Sequence, residues 1–153
     1  MLIRLSIFAT LIFIASCASH EVVNSKVIHY YQVETKKPYD DVLAELEIAI
    51  AEHNFRITGH SRVGKVIRDR GTENFPEFDT IQFCNLTRAE VILRMSPHMV
   101  SYMPCNVVVY HFEGKTIVKT HLLPIDSENA ELNKFSEKMN DMLKQIVDFS
   151  VEE

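Results

Sequence analysis

Leu132, Phe135, Met139, Met142, Leu143 and Ile146 step by three and four along the C-terminal stretch, with charged residues between them. That spacing lays one apolar stripe along a cylinder and predicts a long amphipathic helix covering a sheet. A second stripe runs through Val42, Leu43, Leu46, Ala49 and Ile50. Pro38 suits the first turn of this helix, Asp40 and Asp41 complement the positive end of its dipole, and Asn54 suits a left-handed stop. The pattern shortens to strands over 26–34, 55–59 and 80–83, where β-branched and aromatic residues gather. A polar loop around 71–76 separates the second of these from the third. Asn85 can cap a helix carrying Ala89, Ile92 and Leu93, and Pro97 ends it at Ser96. Residues 106–112 and 116–123 form a hairpin about Glu113-Gly114-Lys115, and the unbroken Val107-Val108-Val109 run marks a central strand. The order β-α-β-β-α-β-β-α predicts an α+β fold, a two-layer sandwich in which a single, mostly antiparallel sheet is covered by helices.

The N-terminus has a different grain. Arg4 precedes an apolar run over 5–14, too short to span a bilayer comfortably, and Ala15 and Ser16 follow. Residues 1–16 therefore read as a signal peptide that is removed. Ile14-Ala15-Ser16-Cys17 resembles the lipobox of bacterial lipoproteins, in which the cysteine is lipidated and becomes the first residue. The resemblance implies a diacylglycerol on Cys17 and, usually, an amide-linked third chain; two or more chains make anchoring durable. Ala18, where Asp would signal retention at the inner membrane, favours the outer membrane of a Gram-negative envelope, facing the periplasm. Residues 17–25 then form the lipidated N-terminus and tether, and 26–153 the folded domain.

Composition narrows the classes. Of 153 residues, 137 remain once the leader is gone, enough for one core and one domain. The formal charge of −5 becomes −6 without Arg4, which argues against nucleic acid as a partner. With Cys17 lipidated, Cys84 and Cys105 remain as an even pair in an oxidising compartment. Only four glycines are present, so no glycine-rich phosphate loop can be built. There is also no G-x-S-x-G elbow and no H-E-x-x-H. No catalytic residue is expected, and a non-enzymatic module is the expected class.

The most specific signal lies in the middle of the chain. Cys84-Asn85, then Ser96-Pro97, then Met103-Pro104-Cys105-Asn106 running into Val107-Val108-Val109-Tyr110, resembles the bacterial family called domain of unknown function 302. That family shows a Cys-Asn after a strand, a helix, a loop with proline, and a Leu-Pro-Cys entering a valine-rich strand. Met103 stands here for the usual leucine, a near-isosteric change. The family motif thus maps to Cys84, Asn85, Pro104 and Cys105. The resemblance implies a sheet with flanking helices similar to the TATA-binding-protein-like arrangement, and it implies no established activity.

Three readings of the cysteine pair stay open. A disulfide closing a loop of about 20 residues would contribute roughly 3 kcal/mol in the chain-entropy model. A functional thiol or ligand pair is the second reading, with Cys84 placed where helix amide dipoles lower a thiol pKa. Unpaired buried cysteines are the third. Met95, His98, Met99 and Met103 surround Cys105 in sequence and make a soft set suited to copper or a haem iron, with His98, Met99 and Met103 the metal candidates. No resident cofactor is expected on the main reading; copper or haem belongs to the alternative, thiol-redox or metal handling by Cys84 and Cys105. His29, His111 and His121 fall on strands without the short spacing of a zinc site. Arg56, Arg62, Lys65, Arg68 and Arg70 form a basic segment suited either to an anion or to a charged edge strand and loop. The main reading is an envelope lipoprotein whose domain binds a small apolar ligand, an envelope protein or a second copy of itself. Tyr30, Tyr31, Tyr110 and Phe112 are candidates to line the binding face or the covered one.

Overall fold

The structure is a computed structural model that describes residues 29–152. The expected leader, Cys17, the tether over 17–25 and the first part of the expected strand over 26–34 lie outside the described residues. In chain order the elements are Tyr30–Thr35 (β1), Tyr39–Glu52 (α1), Arg56–Arg62 (β2), Val63–Asp69 (α2), Phe78–Cys84 (β3) and Leu86–Met95 (α3). A 3-10 turn at Pro97–Tyr102 leads to Cys105–Phe112 (β4), Lys115–His121 (β5) and Ala130–Phe149 (α4). The five strands form one antiparallel sheet in the order β1-β5-β4-β3-β2. The valine-rich β4 is its middle strand, as the unbroken apolar run predicts.

Side-chain alternation assigns the two faces. Ile81 and Phe83 of β3, Val107 and Val109 of β4, and Val118 of β5 are fully buried beneath the apolar stripes of α1 and α4. Val42, Leu46 and Ile50 meet them from α1, and Leu143, Ile146 and Val147 from α4. Each such side chain contributes about 1.5–3 kcal/mol on leaving water. The Asn129 side chain caps α4 by accepting from the Glu131 and Leu132 amides at 3.0 and 3.1 Å. Midway along that helix, the buried Asn140 accepts from the Leu123 amide at 2.8 Å and donates to the Leu123 carbonyl at 2.9 Å. The chain leaving β5 is thereby fastened to α4. At the hairpin, Glu113 (φ 50°) and Gly114 (φ 75°) are both left-handed, the conformation that matches strand twist in a two-residue turn.

One element differs from the sequence expectation. Residues 63–69 form α2, where an exposed strand and loop were expected, so a helix separates β2 from β3. Seven residues with no apolar stripe carry no periodic signal. The buried Gly64 instead lets this helix approach the chain entering β3: a Cβ there would lie 2.4 Å from the Pro76 carbonyl oxygen and 2.7 Å from the Phe78 amide nitrogen. The edge strand β2 is mostly exposed and carries a register shift between Ile57 and Gly59. Such bulged, charged edges resist pairing with other chains.

Candidate functional site

The helices leave one face of the sheet uncovered. Register sets Phe78 opposite Tyr110, Thr80 opposite Val108, Val108 opposite Lys119, and Tyr30 opposite His121. These residues, with Asn106 and with Val63 and Phe75 from outside the sheet, line a groove of about 750 Å³. Its aromatic part is stacked: the Phe78 and Tyr110 rings lie 5.7 Å apart at 6°, and Phe75 packs on Phe78 at 5.7 Å. Elsewhere in the groove, the Lys119 ammonium sits 4.1 Å from the centroid of the Tyr30 ring, an attraction between a cation and a π face. Burial lowers the His121 pKa, and a hydrogen bond to the Tyr102 backbone partly opposes this. A flat apolar surface thus shares one groove with a cation and an imidazole held toward its neutral form. Of the four aromatic candidates, Tyr30 and Tyr110 line the groove. Tyr31 donates to Asp148 Oδ1 at 2.6 Å, and Phe112 is exposed beside the hairpin turn.

The two cysteines border a second, much smaller cavity. A space of about 30 Å³ lies among α3, the 3-10 turn, α4 and the ends of β3 and β4, lined by Cys84, Cys105, Met99, Met103 and Met139 with Asn85, Arg88 and apolar neighbours. Both thiols are free, so the expected disulfide is not formed in this structure. In the ladder Cys105 faces Phe83 and Cys84 stands one residue on, at the end of its strand. They share a cavity without being cross-strand partners. Burial, and next the neighbouring Cys84, push the Cys105 thiol up to about 11.

The motif asparagine has a structural role. Asn85 caps α3 by accepting from the Arg88 amide at 3.0 Å, and its side-chain nitrogen donates to the Asn54 carbonyl at 2.7 Å. The Met103-Pro104 peptide bond is cis. Of the metal candidates, Met99 is buried and Met103 partly buried beside the cysteines, whereas His98 is exposed. Among the described residues, no group of three His, Cys, Asp or Glu is placed to hold a metal.

The basic segment divides rather than converging. Arg56 pairs with Cys84 in the ladder, and Arg62, at the opposite end of β2, with Asp79. Lys65 binds Asp69 at 2.6 Å, and Arg68 binds Glu77 at 2.6 Å and the Phe75 carbonyl at 2.7 Å. Arg62, Lys65 and Arg68 share a small depression with Asp40, Glu77 and Asp79, so acids offset the cations there. Arg70, just after α2, is exposed. The three strand histidines do not meet: His29 and His111 are exposed, and only His121 reaches the groove. Sequence reasoning missed the pair His60 and Asp79, whose Nε2 and Oδ2 lie 2.8 Å apart with Asp79 buried. It also missed Phe75, Phe78, Thr80 and Lys119. The signal for three of these was the second parity of the strands: Phe78 and Thr80 alternate with the core-facing Ile81 and Phe83, and Lys119 with Val118.

No curated protein matches the chain in sequence. Among solved structures, the crystal structure of uncharacterized conserved protein DUF302 from Bacillus stearothermophilus is similar, with a TM-score of 0.69 at 17% identity. The match covers 80% of this chain and 98% of that one. It shares the fold. Residues 31–149, from the second residue of β1 to the end of α4, match the family described as Domain of unknown function DUF302. They include both cysteines, the cap Asn85 and every strand of the sheet. The chain belongs to the DUF302 family.

Proposed function

We propose that this chain is a non-enzymatic binding module of the cell envelope, held by lipid on Cys17, which takes a small ligand with a flat apolar body and an anionic end into its groove. The groove on the uncovered sheet face carries the proposal. Phe78 stacked on Tyr110, with Phe75 tilted against Phe78, offers aromatic surface to the body, and aromatic contacts add to simple burial. Lys119 offers the charge that pairs with the anionic end. The anchoring half of the proposal rests on the lipobox-like Ile14-Ala15-Ser16-Cys17.

Aromatic carboxylates titrated into the full-length chain carrying Cys17→Ser should shift the ring resonances of Phe78 and Tyr110 saturably. Lys119→Gln should weaken that binding about tenfold, as loss of one charge-assisted contact does. No saturable shift across such a series overturns the ligand assignment. A dimer that buries this face, read by sedimentation and hydrogen exchange, overturns it too. Labelled palmitate should enter the native chain and not the Cys17→Ser variant; equal labelling, or none in either, overturns the anchor.

A further inference from the structure

We propose that the small cavity beside Cys84 and Cys105 binds a single copper(I) ion, held by the two thiolates with a methionine thioether beside them. This site is separate from the groove and does not depend on its occupant. Sulfur-bearing residues come to it from four places in the fold: Cys84 from β3, Met99 and Met103 from the 3-10 turn and the residue after it, Cys105 from β4, and Met139 from α4. More than half of the chain's methionines and cysteines are here, five of the nine that six Met and three Cys make together. Thiolate and thioether are the donors that select copper(I) over harder ions. The lack of any group of three His, Cys, Asp or Glu among the described residues removes the usual zinc sets from this place.

Size agrees with that choice. About 30 Å³ holds one ion and has no room for a haem macrocycle. Cys84 and Cys105 line the same cavity without being ladder partners. Charge agrees as well. Copper(I) on two thiolates carries a net negative charge, and the Arg88 guanidinium borders the cavity, 4.9 Å from the Phe55 centroid. The N-terminus of α3, directly after Asn85, adds its positive dipole end. Binding forms two copper–sulfur bonds and sends both thiol protons to solvent, with no change in oxidation state. Affinity therefore rises with pH, because thiol ligands must lose their protons to bind.

The test uses the full-length chain with Cys17→Ser, reduced and kept free of oxygen, competing with bicinchoninate for copper(I). One equivalent should be withheld from the chelator, with thiolate-to-copper absorption in the near ultraviolet and an X-ray absorption shell of sulfur alone. Cys84→Ala and Cys105→Ala should each weaken binding by more than about 100-fold, beyond the cost of removing an outer-shell partner. Failure to compete with the chelator, or affinity unchanged in both alanine variants, overturns the proposal. Should those variants lose their fold by circular dichroism, the unsubstituted cavity still decides: nitrogen in the copper shell, or fewer than two protons released per ion, overturns it.

Discussion

Gly64 shows how much a single missing methyl group can hold. The atoms a Cβ would strike belong to the backbone at Pro76 and Phe78, so neither can swing aside as a side-chain tip would. Gly64→Ala should cost about 1–3 kcal/mol, the range for forced overpacking, read as a lower urea midpoint with unchanged slope. Cys105 makes a prediction of another kind. Its thiol is raised by burial from an ordinary 9.0 to about 11, so the unfolded chain gives up this proton first as pH climbs. Stability contributed by the buried thiol is therefore complete below pH 9 and is lost as pH rises toward 11. Alkylation of Cys105 in the folded, metal-free protein should stay slow at pH 8 and accelerate across that same window, whereas the unfolded chain reacts readily at pH 9. Equal rates in the two states at pH 9 would contradict the burial seen here.

At the scale of elements, the capped helices are the most directly testable. Asn85→Ala removes the cap on the Arg88 amide and the tie to the Asn54 carbonyl. A loss of about 1–2 kcal/mol is expected, near the upper range for a single cap, measured by thermal unfolding. The same scale shows what the sequence made legible. The stripes of α1 and α4 and the hairpin about Glu113-Gly114 were readable because burial is periodic there and the turn requires positive φ. Val63–Asp69 was not, because its fit depends on a glycine meeting backbone rather than on a stripe of its own. Phe78–Asp79 at the start of β3 was also missed: an aspartate reads as loop until His60 is known to meet it across the ladder. The groove was half legible. Tyr30 and Tyr110 stood out as aromatics on strands, but a face is assembled from strands distant in sequence, and strand order is not written in any one of them.

For the whole molecule, the two ends of the domain are fastened to each other. β1 pairs along its length with β5, Tyr31 donates to Asp148 at 2.6 Å, and Lys37 bonds both Glu45 and the Glu152 carbonyl. Truncation after Lys144 removes Ile146, Val147 and Ser150 from the interior along with Asp148. Burial of Ile146 and Val147 alone contributes about 3–6 kcal/mol, comparable with the whole stability of many domains. The truncated chain should show no cooperative thermal transition by circular dichroism; a transition within a few degrees of the full chain would contradict this account.

The pairing of β1 with β5 also sets an order of events. A chain made N-terminus first presents Tyr30–Thr35 long before Lys115–His121 exists to receive it, and Tyr31 waits 117 residues for Asp148. Until then the first strand is an open template. Its outward Glu34 and the lysines that follow, Lys36 and Lys37, are the kind of charge that keeps such a template from pairing with a neighbour. Completion of the fold is thus postponed until almost the last residue has emerged.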